Sequence, residues 1–267
     1  MYCDFHTHLN HSDLYPTWQS YLWQFISIGG SCICLIGVDD LYNTRWIEIC
    51  EYSASYKCKI ICSIWYHPDT IVSQTLNYPS YVQAIDHLRS LYYQYPRYIK
   101  AIWECGIDVH RPGGHESILQ QKELFALQCD LAQELHLPVV IHTRDDRYST
   151  RDIVKLYPDV MFYRHCRGYD SEKLAHIDKY CTHYMIGYTG IITYPKAESL
   201  RECLSLTKLQ HIAIETDAPY LAPIPHRWQS NQPMYITHIY DTIADLKNIS
   251  TPLLCEQIST NFQSLYQ

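Results

Sequence analysis

Eight short apolar runs recur along the chain, most of them rich in β-branched residues, with helical stretches between them. They are Tyr2–Phe5, Ser31–Ile36, Lys59–Trp65, Tyr98–Trp103, Pro138–Ile141, Val160–Tyr163, Tyr184–Ile186 and His211–Ile214. Short buried runs that alternate with helical patterns argue for βαβ units and a parallel sheet. The chain has 267 residues, and a closed (β/α)8 barrel needs roughly 250. The expectation is an α/β fold of the TIM-barrel type, a (β/α)8 barrel in a single domain over residues 1–267. A doubly wound open sheet is the runner-up on periodicity alone.

The intervening segments carry helix signals. Ser80 with Gln83 reads as a capping box that opens SYVQAIDHLRSLYYQY. Leu124, Leu127, Leu131 and Leu135 form one apolar stripe, and Pro138 follows where that helix must have ended. Thr251 before Pro252 reads as a capping hydroxyl followed by a ring at the first helical position.

With 47% hydrophobic and 18% charged residues, the chain can fill a core and is not a wholly disordered segment. Its formal charge of −7 argues against coating duplex nucleic acid through a broad basic face. That charge is still compatible with holding a few nucleotides at an end. Tyrosine, at 25 residues against 5 Phe, is expected to lie half-buried on helix faces with its hydroxyl in water. None of the 12 cysteines forms a C-x-x-C pair, and several, such as Cys32 and Cys34, sit inside apolar runs. They read as buried, reduced core residues, which fits a cytoplasmic setting. The opening MYCDFHTHLN is not a basic stretch followed by an apolar one, and no run reaches the roughly 18 apolar residues of a membrane span.

Where the polar residues fall is more informative. His6 and His8 follow the first run, His67 the third, Glu104 the fourth, His142 the fifth, His165 the sixth and Asp217 the eighth. Singly, each fits a hydrogen-bonded core histidine, a helix cap or half of an ion pair. With 15 His in 267 residues, chance alone yields about one H-x-H pair. Together they share one placement. In a parallel barrel the chain leaves every strand at the same rim, where active sites are built. On an extended segment residues i and i+2 point the same way, so His6 and His8 can both face the axis. Imidazole and carboxylate are ligand types accepted by divalent Zn, Mn or Mg. The set His6, His8, Glu104, His142, His165 and Asp217 exceeds what one tetrahedral ion can use. It suits two divalent metal ions with a bridging carboxylate and an acidified water.

The quoted segments resemble the TatD-related family of metal-dependent deoxyribonucleases, within the wider amidohydrolase-type barrels. The resemblance runs over nearly the whole chain. It rests on DFHTHLN at 4–10, Gly37-Val38, HP at 67–68, WECGIDVHR at 103–111, LPVVIHTRDD at 137–146, HC at 165–166, IGYTGIITY at 186–194 and ETDAPYLAP at 215–223. It implies that His6, His8, Glu104 and Asp217 hold one ion, and that Glu104 bridges to a second held by His142 and His165. It implies that Asp217 is also the general base, and that His67 lies near the scissile phosphate. The implied activity is metal-dependent hydrolysis of phosphodiesters, with single-stranded DNA or DNA ends as partner.

The chain departs from the family pattern at Cys166-Arg167-Gly168-Tyr169, at Ser230-Asn231-Gln232-Pro233, at Asn10 and at Trp65-Tyr66. None of these is an expected ligand; they bear on the substrate and its pocket. Arg144, Arg147, Arg164 and Arg167 fall near the mouth, as phosphate contacts or as surface charge paired with Asp145, Asp146 and Asp170. Tyr66 and Tyr188 are candidates for stacking on an unpaired base. His11, His110 and His115 lie past the motifs and are expected to matter little. Two other classes remain. One is a two-metal amidohydrolase or esterase acting on a carbonyl substrate, a small molecule or an aminoacyl-tRNA. The other is a scaffold barrel without catalysis, against which the complete ligand set argues.

Overall fold

The computed structural model describes residues 1–37, 40–54, 56–76, 78–110, 112–144, 146, 148–165 and 183–266. All eight expected strands form: β1 (Tyr2–Thr7), β2 (Gly30–Ile36), β3 (Lys59–Ile64), β4 (Ile99–Asp108), β5 (Val139–Arg144), β6 (Phe162–Arg164), β7 (Tyr184–Tyr188) and β8 (Ile212–Ile214). They make one sheet in sequence order, and every neighbouring pair is parallel. Past the end of β8 the chain bonds back to the start: the Asp217 amide donates to the His6 carbonyl (2.9 Å) and the His8 amide to the Ala218 carbonyl (2.8 Å). The sheet is thereby curled into a nearly closed barrel. The TIM-barrel reading holds and the open sheet is excluded.

The strands are buried along almost their whole length, as parallel strands covered on both faces must be. Around them lie α1 (Trp18–Ser27), α2 (Asp40–Ser53), α3 (Pro68–Val72), α4 (Tyr81–Gln94), α5 (Ile118–Leu135), α6 (Ser149–Val154), α7 (Glu198–Leu206), α8 (Ile236–Lys247) and α9 (Thr251–Leu265). Ser80 caps α4 by accepting from the Gln83 amide. In α5, Leu124, Leu131 and Leu135 are buried and Leu127 is partly so; the helix stops at His136 in the left-handed conformation. One expectation is corrected: α9 is capped by Ser250, whose hydroxyl accepts from the Leu253 amide, so Thr251 is already helical. Ser250 is in extended backbone, which is what a cap requires.

The sequence reading ended several strands too early. β4 runs on to Asp108, β5 to Arg144 and β1 to Thr7. Hence His6, Glu104 and His142 lie on the strands rather than after them. The apolar pattern stops where polar side chains begin, but the backbone ladder continues. Tyrosine also departs from expectation at several sites. Tyr163, Tyr188, Tyr240 and Tyr266 are fully buried, each with a hydrogen-bonded hydroxyl. Tyr240 of α8 and Tyr266, the residue that follows α9, donate to the carbonyls of Cys3 and Phe5 and so brace β1 from behind. The ten described cysteines are free thiols, nine of them buried. No helix among the described residues is long and apolar enough to cross a membrane.

Candidate metal centre

Two local irregularities bring the polar residues into the mouth. Along β4, Trp103 pairs with Val140 and Cys105 with Ile141, so Glu104 is an extra residue with no partner on β5. Such a bulge re-aims a side chain. Gly106 follows at φ +148°, and a Cβ there would fall 1.8 Å from the His142 carbonyl oxygen; only glycine lets β4 lie this close to β5. In β1 three steps from Asp4 to Thr7 face two steps of β2, which places a second irregularity in the segment that carries His6. Asp4 fixes that segment to the β8 end, accepting from the Thr216 amide (2.9 Å), the Thr216 hydroxyl (2.6 Å) and the His6 amide (3.2 Å).

All seven expected side chains meet at this rim, the six ligand candidates buried and His67 partly so. His6 Nε2 and His8 Nε2 lie 2.9 Å apart, and both face Asp217 Oδ1, at 3.0 and 3.4 Å. Glu104 Oε1 is 3.3 Å from His142 Nδ1 and 3.4 Å from His165 Nε2. His165 Nε2 is also 3.8 Å from Asp217 Oδ2, and its ring stacks on His6 with centroids 4.0 Å apart, so the two halves share a wall. His67 stands edge-on to His142 with centroids 4.8 Å apart. Three ligand-type groups have their donor atoms within 4.8 Å of one another: His6, His8 and Asp217; His67, Glu104 and His142; and His6, His165 and Glu215.

This donor set fits a cation. Burial and the charge of His165 lower the His6 imidazole to about 4, leaving it neutral with a lone pair to give. Burial would raise the Glu104 and Asp217 carboxyls, yet the imidazoles around them hold both well below the usual carboxylate range. Burial would lower His165, but the charges of Glu215, Glu104 and Asp217 lift it to about 10. The mouth therefore stabilises positive charge. Two buried atoms of the cage, His6 Nδ1 and Asp217 Oδ2, make no hydrogen bond among the described residues.

Two carboxylates were missed in the sequence. Glu215 Oε1 is 2.9 Å from His165 Nδ1, and its other oxygen accepts from the Tyr163 hydroxyl. Asp108 Oδ2 is 3.3 Å from His142 Nε2; burial pushes its carboxyl up, but hydrogen bonds from His142 and the His110 amide bring it down to about 2. The signal for both was spacing. Glu215 lies two residues before Asp217, and Asp108 four after Glu104.

The stacking expectation for two tyrosines is corrected. Tyr188 is fully buried, its hydroxyl 2.7 Å from that of Thr207, and Tyr66 is 3% exposed; neither offers a face to a base. Asn10 is a structural departure: its amide donates to the Ile36 (2.7 Å) and Tyr42 (3.3 Å) carbonyls, which a carboxylate cannot do. Trp65 is buried, with its indole N–H donating to the Gly37 carbonyl. Asp146 accepts from the Ser149 (3.1 Å) and Thr150 (2.8 Å) amides at the start of α6. Arg144 and Arg164 end β5 and β6 and are partly buried. Val38, Arg111, Asp145, Arg147, Cys166, Arg167, Gly168, Tyr169, Asp170 and Cys181 lie outside the described residues.

The profile of the family described as TatD related DNase matches residues 3–267. The chain belongs to that family. Among its relatives, YcfH of Escherichia coli, named an uncharacterized metal-dependent hydrolase, is 33% identical over 173 residues. That match covers 63% of this chain and 63% of YcfH. YabD of Bacillus subtilis carries the same description and is 26% identical over 273 residues, covering 100% of this chain and 99% of YabD. Two solved TatD-family structures superpose with a TM-score of 0.85: YJJV, a TatD homolog from Escherichia coli, at 20% identity, and a TatD family hydrolase from Entamoeba histolytica at 18%. Each covers 99% of this chain and 97% of its own. At those identities the likeness speaks to the TatD barrel fold.

Proposed function

We propose that this TatD-family barrel is a hydrolase of nucleic-acid phosphodiesters that works with two divalent ions of Zn, Mn or Mg. His6, His8, Asp217 and Glu104 would hold one ion, and Glu104, His142 and His165 the other. The observation that carries the reading is the pair of buried carboxylates, Asp217 and Glu104, each faced by two imidazole nitrogens at 3.0 to 3.4 Å, with His165 within reach of both. Divalent ions there supply an acidified water and a positive counterpart for the charge that builds on the attacked group.

The chain's own residues supply the rest. Asp217, held ionised, accepts the proton of the attacking water on Oδ2, the oxygen that no hydrogen bond occupies among the described residues. His67 caps α3: its Nδ1 accepts from the Asp69 amide at 2.9 Å, which leaves the proton on Nε2. That N–H is a donor for a phosphate oxygen. Glu215 and Asp108 orient His165 and His142, the role that outer carboxylates play toward ligating histidines.

The test is a release assay of the purified protein with Mg, Mn or Zn on labelled single-stranded DNA, RNA and acylated substrates. Nucleotide release that disappears on chelation is the expected result. Turnover of a carbonyl substrate with no nucleotide release overturns the phosphodiester reading. No bound divalent ion after reconstitution leaves a scaffold barrel.

A further inference from the structure

The loop after β8, residues 218–232, leaves the rim immediately beyond Asp217 and returns to it. Buried Asn231 closes its feet: its side-chain amide donates to the Thr216 (2.7 Å) and Tyr220 (2.6 Å) carbonyls, and its backbone amide to the Pro219 carbonyl (2.9 Å). The loop is locked to the one after β7 as well. The Tyr194 hydroxyl donates to the Ala222 carbonyl (2.9 Å), and the Ile224 amide to the Thr193 hydroxyl (2.9 Å).

On this fixed base stands Trp228, 89% exposed. Its φ is +80°, a left-handed conformation that a bulky residue adopts only at a cost. The Arg227 guanidinium lies between two rings, 4.3 Å from the centroid of Tyr194 and 4.6 Å from that of Trp228. The indole is thus held against a cation while most of its surface remains in water. A tryptophan that contributes so little burial, in a strained backbone on the loop that leaves the rim directly after Asp217, offers its ring to something outside the chain.

The occupant is set by chemistry. It must be flat to cover an indole and anionic to complement Arg227. A net charge of −7 argues against a broad basic face that tracks a phosphate backbone, which puts the weight of affinity for a nucleic-acid strand on a few local contacts. Stacking on an aromatic ring is one, and it tolerates any base. We propose that Trp228, backed by Arg227 and Tyr194, is a stacking platform for an unpaired nucleobase of the substrate, away from the bond that is cut. This rests on the phosphodiester reading above.

The test compares a single-stranded oligodeoxynucleotide with one of equal length whose bases, apart from those flanking the cut, are replaced by abasic units. Both are hydrolysed by the metal-loaded full chain. The wild-type protein is expected to show about tenfold lower KM for the base-bearing strand. Trp228→Ala collapses that preference with kcat retained, and Trp228→Phe restores most of it. A wild-type protein with no preference between the strands, or a Trp228→Ala protein that keeps it, overturns the platform alone. A wild-type protein that cuts neither strand overturns the function on which the platform rests.

Discussion

Asp217 faces His6 and His8 with one oxygen and His165 with the other, and Glu104 faces His142 and His165. Both lie at the rim, where side chains serve function more than stability. Asp217→Ala and Glu104→Ala are each expected to lower kcat by about 10³-fold or more while the far-ultraviolet circular dichroism stays that of the wild type. Near-normal turnover in either variant removes the role given to it. Glu215 acts at one remove, through His165 Nδ1. Glu215→Gln should weaken metal affinity by roughly 10–100-fold, read by titration calorimetry, because the histidine loses its anionic partner. The ligand candidates were legible because each follows a recognisable apolar run. Glu215 and Asp108 were not, because a carboxylate in a loop or late in a strand is usually solvated. Only the barrel's curvature shows that these two point at histidines. Tyr188 misled for the opposite reason: its place after the seventh apolar run suggested the mouth, but it ends β7 and is fully buried.

At the scale of elements, strand existence was plain in the sequence and strand length was not. A parallel strand announces itself by an unbroken apolar run, and β4 breaks that run at Glu104 while its ladder goes on to Asp108. The bulge at Glu104 and the close approach at Gly106 have no local signature, since both depend on what β5 does opposite them. Gly106→Ala is therefore expected to cost about 3 kcal/mol in urea unfolding, through overpacking against the His142 carbonyl. It should displace His142 as well. One helix cap, that of α9, was misread by a single residue. Thr251 and Ser250 are both good capping types, and only the extended backbone of Ser250 decides between them. Ser250→Ala should lower stability by about 1 kcal/mol, and Thr251→Ala by clearly less; equal losses would mean that the cap is shared.

The whole barrel was legible in outline because strands one to eight pair in the order in which they are written, and that order is what separates it from the open sheet that periodicity alone also allowed. Less visible was the electrostatic state that closure creates. Bringing Glu104, Asp108, Glu215 and Asp217 to one rim buries four carboxylates together, each at 7% exposure or less. Buried charges of one sign destabilise a fold unless paired. The histidines offset part of this, and a cation in the cage offsets more, so metal affinity is also folding stability. At a hundredfold excess over Kd, a ligand that binds only the native state adds about 2.7 kcal/mol. For a chain of this size each kcal/mol is worth roughly 2–4 °C. Adding Zn, Mn or Mg to chelator-treated protein is thus expected to raise Tm by about 5–10 °C, read by scanning calorimetry, with the native metal giving the largest shift. Glu104→Ala should lose most of that shift. A Tm that is the same with and without every one of these ions would mean that the carboxylates are neutralised by the histidines alone, and the cage would then be a network of ion pairs rather than a metal centre.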